Sequence, residues 1–224
     1  MRRRPAVPRG RVGSVGRALT AAMPAIVPLA MQGVFRQTIR LFGPRRGYQA
    51  GFAVYWAACW GAALACAGPS RIARLWERPA PTPTGLRPLT WAVLLTPPVG
   101  AISTEWLPHA RAAGPRVVGV AAALGVTNAL AEEALWRGAP AVAFPDEPVR
   151  GWLWPAVGFT LWHLVPLEAV SADRRRSAVL LAGAALIGVG NGWVAWRTHS
   201  LSAVTMSHAV TDASGLESVR RMWA

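Results

Sequence analysis

Residues 128–138 read NALAEEALWRG, where two adjacent glutamates and an arginine interrupt an otherwise apolar run. Ionisable side chains inside a membrane span are costly, and they usually face the interior of the bundle or an aqueous cavity. Two later apolar segments carry further ionisable groups, FTLWH at residues 159–163 and HAVTD at residues 208–212. Together the three motifs indicate a functional site among membrane helices.

The composition around these motifs is that of a membrane protein. Of the 224 residues, 53% are hydrophobic and only 15% are charged, whereas soluble domains carry about 25% charged residues. Several apolar runs approach the roughly 20 residues that a spanning helix needs. We therefore expect an all-α fold, a polytopic transmembrane helical bundle of about six to seven spans with the lipid bilayer as a partner.

The net charge of +14 comes from arginine alone, because the chain contains no lysine. Cytoplasmic loops of membrane proteins collect basic residues that meet anionic lipid. We therefore expect a multi-pass protein of the plasma membrane and no nucleic-acid partner. Cys59 and Cys66 are seven residues apart in one apolar run, a helical spacing too long for a disulfide, and we interpret them as small buried residues.

Hydropathy, proline and arginine divide the chain into four regions: a basic N-terminal arm (1–17), N-terminal membrane helices (18–115), a core with the three motifs (116–216) and a basic tail (217–224). The expected spans are residues 18–35, 49–68, 89–106, 116–137, 151–167, 177–196 and 201–216. Residues 69–88, 107–115 and 138–150 contain proline and are expected to be loops. The pair Pro97 and Pro98 predicts a kinked or broken third span.

The run 18–35 decides the topology, because it contains two prolines and could lie inside or outside the bilayer. If it spans, the chain has seven spans and Glu132 lies near the cytoplasmic face. If it does not, the chain has six spans and Glu132 lies near the external face. We favour seven, because an apolar run of this length has few stable places outside a bilayer.

The two glutamates are expected to have different roles. On a helix, adjacent side chains project about 100° apart and cannot address one point equally. Glu133 stands four residues before Arg137, which is the favourable order for a helical ion pair. Glu132 is then available for chemistry, and a carboxylate among apolar side chains suits a general base or acid. The alternative is that both glutamates face a polar loop at a helix end.

Histidines in the other two motifs supply candidate partners. A lone histidine such as His163 is more often a packing residue than a catalyst, but His208 and Asp212 stand four residues apart on one helical face. This spacing suits a histidine oriented by an acid, or two groups aimed at one cavity. Glu132, His163 and His208 would also suffice as ligands for a divalent metal such as zinc, although metal-free activation of water fits equally well.

The motifs EEALWRG, FTLWH and GVGNGWVAWRTHSLSAVTMSHAVTD resemble the CPBP family of intramembrane endopeptidases. This family includes prenyl-protein CAAX proteases, bacteriocin-processing proteins and abortive-infection proteins. The resemblance rests on the family patterns EExxxR, FxxxH and HxxxN/D in this order, and it covers about residues 116–215. It implies an intramembrane endopeptidase, often described as a metalloprotease, that acts on a peptide or protein substrate at the membrane.

The resemblance also implies a role for each motif residue. Glu132 would activate water, His163 would help to hold it, and His208 and Asp212 would stabilise the oxyanion. Glu133, Arg137 and Phe159 would support them. Asp212 stands where asparagine is common, and a carboxylate would repel an oxyanion unless it were protonated or paired with His208.

Two other classes of function fit the residues. A non-catalytic membrane protein of the same fold could bind a partner, as an immunity or scaffold protein does, and it would tolerate Glu132→Gln. A small transporter could use the buried acids as a proton relay, and it would show flux that depends on a pH gradient. The substrate is left open among a prenylated CAAX tail, a leader peptide and a membrane-protein segment.

Overall fold

The computed structural model describes residues 12–77, 86–170 and 174–223, and these residues form helices and short connections without any strand. The α-helices are α1 (Ser14–Ala67), α2 (Pro69–Glu77), α3 (Arg87–Ala101), α4 (Leu107–Glu133), α5 (Ala139–Ala143), α6 (Trp154–Trp162), α7 (Leu164–Val170), α8 (Arg174–Thr198), α9 (Ser202–Ala213) and α10 (Leu216–Met222). Three π-helical turns join some of them without a break: Ile102–Trp106, Ala134–Gly138 and Val149–Leu153. The all-α membrane bundle predicted from the sequence is confirmed.

Helix α1 is a hairpin of two antiparallel limbs. Gly43 has φ 78° and ψ 172°, a non-helical conformation that suits glycine and reverses the chain. Beyond this corner the limbs pack closely, since the Phe35 ring contacts that of Phe52 (5.5 Å between centroids) and Gly16 lies against the Cys66 carbonyl. The apolar run 18–35 belongs to the first limb and therefore packs against the second. The helix begins at Ser14, so the last residues of the expected basic arm 1–17 are helical, while residues 1–11 lie outside the described residues.

A second hairpin carries the EEALWRG motif. Its first limb runs from α3 to Gly114, where the backbone leaves the helical conformation (φ 73°, ψ 162°), and its second limb is the remainder of α4. Helix α9 packs between the two limbs: the Ser207 hydroxyl donates to the Leu94 carbonyl (2.6 Å), and Gly125 lies against the Ala209 carbonyl so closely that an added Cβ would be 2.7 Å from it. Absence of a side chain at Gly125 thus allows α4 and α9 to approach.

Two ion pairs tie the first limb of α1 to later parts of the bundle. At one end Arg17 pairs with Glu147 (2.6 Å), and at the other end Arg36 pairs with Glu168 (2.9 Å). Within the described residues, three stretches are long and apolar enough to cross a membrane: Ser14–Ala67, Arg87–Ala143 and Ser177–Thr198. The first two are the hairpins, and the run 18–35 lies in the first limb of the first hairpin. Whether this run crosses the bilayer stays a prediction.

Proline misled the prediction of loops, because helix persists through most of the proline-containing segments. Each π-helical turn ends two residues before a proline, namely Pro108, Pro140 or Pro155. Proline lacks the N–H of a helical hydrogen bond and its ring crowds the carbonyl four residues earlier. A π-helical turn widens the helix locally, and this provides a physical reason for its recurrence before proline.

Several expected boundaries are therefore wrong. Residues 107–113 are helical up to Gly114, and the helix of the opening motif continues to Ala143. Of the expected loop 69–88, residues 69–77 form the amphipathic helix α2, which buries Ile72 and Leu75, and residues 78–85 lie outside the described residues. The expected basic tail 217–224 is helical as far as Met222.

Candidate active site

Glu132 and Glu133 lie at the end of α4 and are 1% and 0% exposed. They are held inside the bundle because α9 packs along α4 on one side and the second limb of α1 lies on the other. Burial of two adjacent carboxylates requires that each be compensated by polar partners. The partners of the two residues differ.

Glu133 is surrounded by groups that can carry positive charge. Its Oε1 lies 3.1 Å from Nη1 of Arg137 and accepts a hydrogen bond from Nδ1 of His208 (2.7 Å). Arg137 also donates through Nη2 to the carbonyl of Ile187 on α8 (3.2 Å), and its guanidinium stacks 4.0 Å from the centre of the Phe159 ring. The helical spacing therefore correctly predicted the pairing of Glu133 with Arg137.

Glu132 is held by neutral donors instead. Its Oε1 accepts hydrogen bonds from the Tyr55 hydroxyl (2.7 Å) and from Nε1 of Trp162 (3.0 Å). Its Oε2 is buried and has no hydrogen-bond partner among the described residues, although it lies 3.3 Å from Nε2 of His208. One carboxylate oxygen is thus fixed, while the other is available in front of an imidazole.

Three aromatic residues that sequence reasoning did not assign to the site position the carboxylate of Glu132. The Tyr55 ring stacks on that of Trp162, with 3.6 Å between centroids and 18° between planes. The Tyr55 hydroxyl, while donating to Glu132, accepts a hydrogen bond from Nε1 of Trp136 (2.9 Å). The signal in the sequence was a tyrosine in an apolar span and a tryptophan in each of the first two motifs, but such residues are also common at membrane interfaces.

His208 is held most closely by Glu133, whereas the sequence left open whether Asp212 orients this histidine or both groups face one cavity. Nδ1 of His208 faces Glu133, whereas its Nε2 faces Glu132 and lies 3.5 Å from Oδ2 of Asp212. Asp212 has another partner at shorter distance, since its Oδ2 accepts a hydrogen bond from Nδ2 of Asn128 (2.7 Å). The four-residue spacing did place His208 and Asp212 side by side, but it could not identify the acid on a second helix.

His163 reaches this cluster through Phe159. Its ring lies 4.6 Å from that of Phe159, which in turn lies 5.8 Å from the ring of His208. Nδ1 of His163 bonds the Phe159 carbonyl (2.8 Å). Because a carbonyl only accepts, Nδ1 carries the proton and Nε2 remains free to accept. The three motifs therefore meet around Phe159, without a direct bond from His163 to Glu132.

The side chains of the cluster do not form a ready set of ligands for zinc. Among the described residues, no group of three or more His, Cys, Asp or Glu side chains is arranged to hold a metal ion. Both ring nitrogens of His208 face carboxylates, and His163 is joined to it only through an intervening phenyl ring. A zinc site made of Glu132, His163 and His208 stays a prediction.

The cluster reaches the surface of the bundle on one side. The Asp212 side chain is 28% exposed, and Asn128, Trp56 and His163 are partly buried. Glu132 and Glu133 lie behind them. We call the side formed by Trp56, Asn128 and Asp212 the mouth of the site.

Comparison with known proteins matches this part of the chain to one family. Residues 114–214 match the family model described as type II CAAX prenyl endopeptidase Rce1-like. No curated protein and no solved structure matched the chain. The matched residues include all three motifs and every ionisable group of the cluster. The segment 114–214 of this membrane protein is thus similar to the Rce1-like family of type II CAAX prenyl endopeptidases.

Proposed function

We propose that the protein is an intramembrane endopeptidase in which Glu132 activates a water molecule for hydrolysis of a peptide bond near the membrane interface. The family match supports CAAX-type endopeptidase activity. The single observation that carries the mechanism is the asymmetric setting of Glu132. Two neutral donors fix Oε1, while Oε2 is unbonded among the described residues and faces Nε2 of His208 at 3.3 Å.

Glu132 suits the role of general base better than Glu133 does. A base must reach the proton that it abstracts, directly or through one water molecule. Oε2 of Glu133 is also buried without a hydrogen-bond partner among the described residues, but its Oε1 is engaged by Arg137 and His208, and withdrawing this carboxylate from a buried arginine would be costly. The fixed orientation of Glu132 also avoids reorganisation of the carboxylate during the reaction.

The hydrolytic step can be written with the groups in place. Oε2 of Glu132 takes a proton from water while the water oxygen bonds to the carbonyl carbon of the scissile peptide. As the tetrahedral intermediate collapses, the C–N bond breaks and Glu132 returns the proton to the leaving nitrogen. The products are a carboxylic acid and an amine, which become a carboxylate and an ammonium group by transfer of the remaining proton, and the enzyme is regenerated.

His208 is the candidate donor for the oxyanion. Its two ring nitrogens face carboxylate oxygens, so each is positioned to donate a hydrogen bond. Glu133 and Arg137 hold the imidazole through Nδ1 and leave Nε2 directed at the space in front of Glu132. Such preorganised donors act strongly where bulk water is excluded. His163, with Nε2 free to accept, would help to hold the attacking water.

The substrate class follows from the family and from the surroundings of the site. A CAAX-type endopeptidase acts on a lipid-modified chain end, which the bilayer would deliver to an opening between membrane helices. We propose a prenylated CAAX peptide as the substrate and the plasma membrane, whose anionic leaflet would attract the arginine-rich segments, as the location.

The test uses the purified protein in nanodiscs with a farnesylated peptide that ends in a CAAX sequence. In water enriched in ¹⁸O, we expect release of the last three residues and one ¹⁸O atom in the new carboxylate of the shortened peptide. Glu132→Gln, which keeps the shape of the side chain, should yield no product. Glu168→Gln is the matched control, because it makes the same change in an exposed pair with Arg36 and should cleave normally.

Absence of cleavage by the wild-type protein would contradict the proposed activity. Normal cleavage by Glu132→Gln would contradict the assignment of the base.

A further inference from the structure

Asn128 lies one helical turn before Glu132 and joins three helices at the mouth of the site. Its Oδ1 accepts a hydrogen bond from Nε1 of Trp56 on α1 (2.8 Å). Its Nδ2 donates to Oδ2 of Asp212 on α9 (2.7 Å). The chain of contacts continues from Asp212 to Nε2 of His208 at 3.5 Å, and His208 faces Glu132.

The two partners determine which way the amide of Asn128 points. The indole N–H of Trp56 can only donate, so it requires the amide oxygen. An ionised Asp212 can only accept, so it requires the amide nitrogen. Turning the amide over would set donor against donor and acceptor against acceptor. Trp56 therefore ensures that an N–H group, and not an oxygen, faces Asp212.

The amide of Asn128 offsets the negative charge of Asp212, which would otherwise disfavour an oxyanion at His208. Asp212 lies beside His208, where a developing oxyanion would be repelled by an uncompensated carboxylate. A hydrogen bond from a neutral amide delocalises the charge of Asp212 and holds the carboxylate in one place without adding a second charge to the mouth. The short contact from Asn128 and the longer one from His208 share the same atom, Oδ2.

We propose that Asn128, itself oriented by Trp56, is a positioning residue for the reaction: it holds Asp212 in place beside Nε2 of His208. This inference rests on the proposed function, because it takes the reaction to occur between Glu132 and His208. Asn128 acts through Asp212 and His208 and does not itself contact the reacting atoms.

The first test replaces the amide by its isosteric acid. Asn128→Asp sets two carboxylates 2.7 Å apart, so Asp212 is pushed away from its position. We expect kcat on the farnesylated CAAX peptide to fall about 10- to 100-fold, as loss of a charge-assisted hydrogen bond allows. KM should stay unchanged, because no substrate contact is removed.

Exchange of the two residues supplies the rescue. In Asn128→Asp combined with Asp212→Asn, one amide and one carboxylate again face each other, so the contact between positions 128 and 212 is restored. The atom of residue 212 that Asn128 and His208 share, Oδ2 in the wild type, becomes an N–H group, so the contact with His208 is not restored. We expect kcat to recover in part from that of Asn128→Asp, as coupled neighbours do. Trp56→Phe keeps an aromatic ring but removes the N–H that orients the amide, and it should lower kcat by less than Asn128→Asp does.

A matched control exists on the outer surface of the bundle. Nε2 of Gln32 donates to Oε2 of Glu168 at 3.1 Å, so Gln32→Glu creates the same acid–acid contact at an exposed place away from the motifs. Its kcat and KM should equal those of wild type. A loss of activity as large as that of Asn128→Asp would show that the effect is not specific to the mouth, and this would overturn the inference.

A readout without substrate separates this inference from the proposed function. Thermal unfolding of wild type, Asn128→Asp, Asp212→Asn and the double variant forms a double-mutant cycle. We expect Asn128→Asp to lower the Tm and the double variant to regain it. Absence of coupling in this cycle, or a folded Asn128→Asp protein with wild-type kcat, would overturn the inference. Coupling in a protein that fails to cleave the peptide would instead support the contact and contradict the proposed function.

Discussion

Glu132 and Glu133 are neighbours in the chain and equally buried, yet they are compensated in opposite ways. Glu133 is bonded to groups that carry or can carry positive charge, Arg137 and His208. Glu132 receives its two hydrogen bonds from a phenol and an indole, Tyr55 and Trp162. In both glutamates Oε2 has no hydrogen-bond partner among the described residues, so the difference lies in what holds Oε1.

The difference explains how one helix end can serve both structure and chemistry. A carboxylate bound to a buried arginine is part of the architecture, because removing either partner leaves a charge inside the bundle. A carboxylate held only by neutral donors is fixed in position but retains its capacity to accept a proton. We therefore expect substitutions on the Glu133 side to affect stability first and substitutions on the Glu132 side to affect activity first.

The largest effect is expected when the buried ion pair of Glu133 and Arg137 is broken. Glu133→Gln or Arg137→Met should each lower the free energy of unfolding by about 3–5 kcal/mol, because the remaining charge is buried without a partner. The measurement is denaturant unfolding in micelles or nanodiscs. The double variant should be more stable than either single variant. Glu168→Gln, which alters an exposed pair with Arg36, is the control and should have no measurable effect.

Near-normal stability of both single variants would show that Glu133 and Arg137 do not depend on each other, and the contrast between the two glutamates would be lost.

A smaller effect is expected when one of the neutral hydrogen-bond donors to Glu132 is removed. Tyr55→Phe keeps the ring stacked on Trp162 but removes the hydroxyl between Trp136 and Glu132. We expect a loss of about 1–3 kcal/mol in the free energy of unfolding, the cost of leaving a buried donor unpaired, together with a lower kcat. Tyr48→Phe is the matched control, since Tyr48 is the only other tyrosine and packs among Phe35, Phe52 and Trp223.

If Tyr55→Phe cleaved the peptide as fast as wild type, fixation of Glu132 by the phenol would have no role in the reaction.

The smallest effect is expected from removal of metal. Oε2 of Glu132 has no hydrogen-bond partner among the described residues, and both nitrogens of His208 face carboxylates, so we expect cleavage to persist after treatment with a chelator. Elemental analysis of the same samples would report bound zinc. Loss of activity that tracked loss of one zinc per chain, and returned with zinc, would favour the ligand set of Glu132, His163 and His208.

The different roles of Glu132 and Glu133 could be predicted from the sequence, but the contacts between helices that produce the difference could not. Spacing alone paired Glu133 with Arg137 and left Glu132 for chemistry, because both relations lie within one helical turn. Tyr55 and Asn128 could not be assigned to the site, since their roles depend on contacts between helices whose relative rotation no local pattern reveals. The same reason applies to His208, whose Nδ1 contacts Glu133 on α4, because the spacing between His208 and Asp212 on one helix could not reveal a partner on another.

Helix existence was predictable and helix ends were not. The apolar runs indicated the long helices, including the helix over residues 18–35, because hydropathy and length are sufficient for that purpose. Prolines were interpreted as helix breakers, whereas Pro108, Pro140 and Pro155 each follow a π-helical turn inside a continuous helix. The reversals of the chain occur instead at Gly43 and Gly114, where φ is positive.

The most direct test of the contrast between the two glutamates is a side-by-side comparison of Glu132→Gln and Glu133→Gln, with the folded fraction and the cleavage of the farnesylated CAAX peptide measured on the same preparations. We expect Glu132→Gln to fold like wild type and form no product, and Glu133→Gln to lose folded protein. Full cleavage by Glu132→Gln, with cleavage abolished in a fully folded Glu133→Gln, would reverse the two roles and contradict the proposed mechanism.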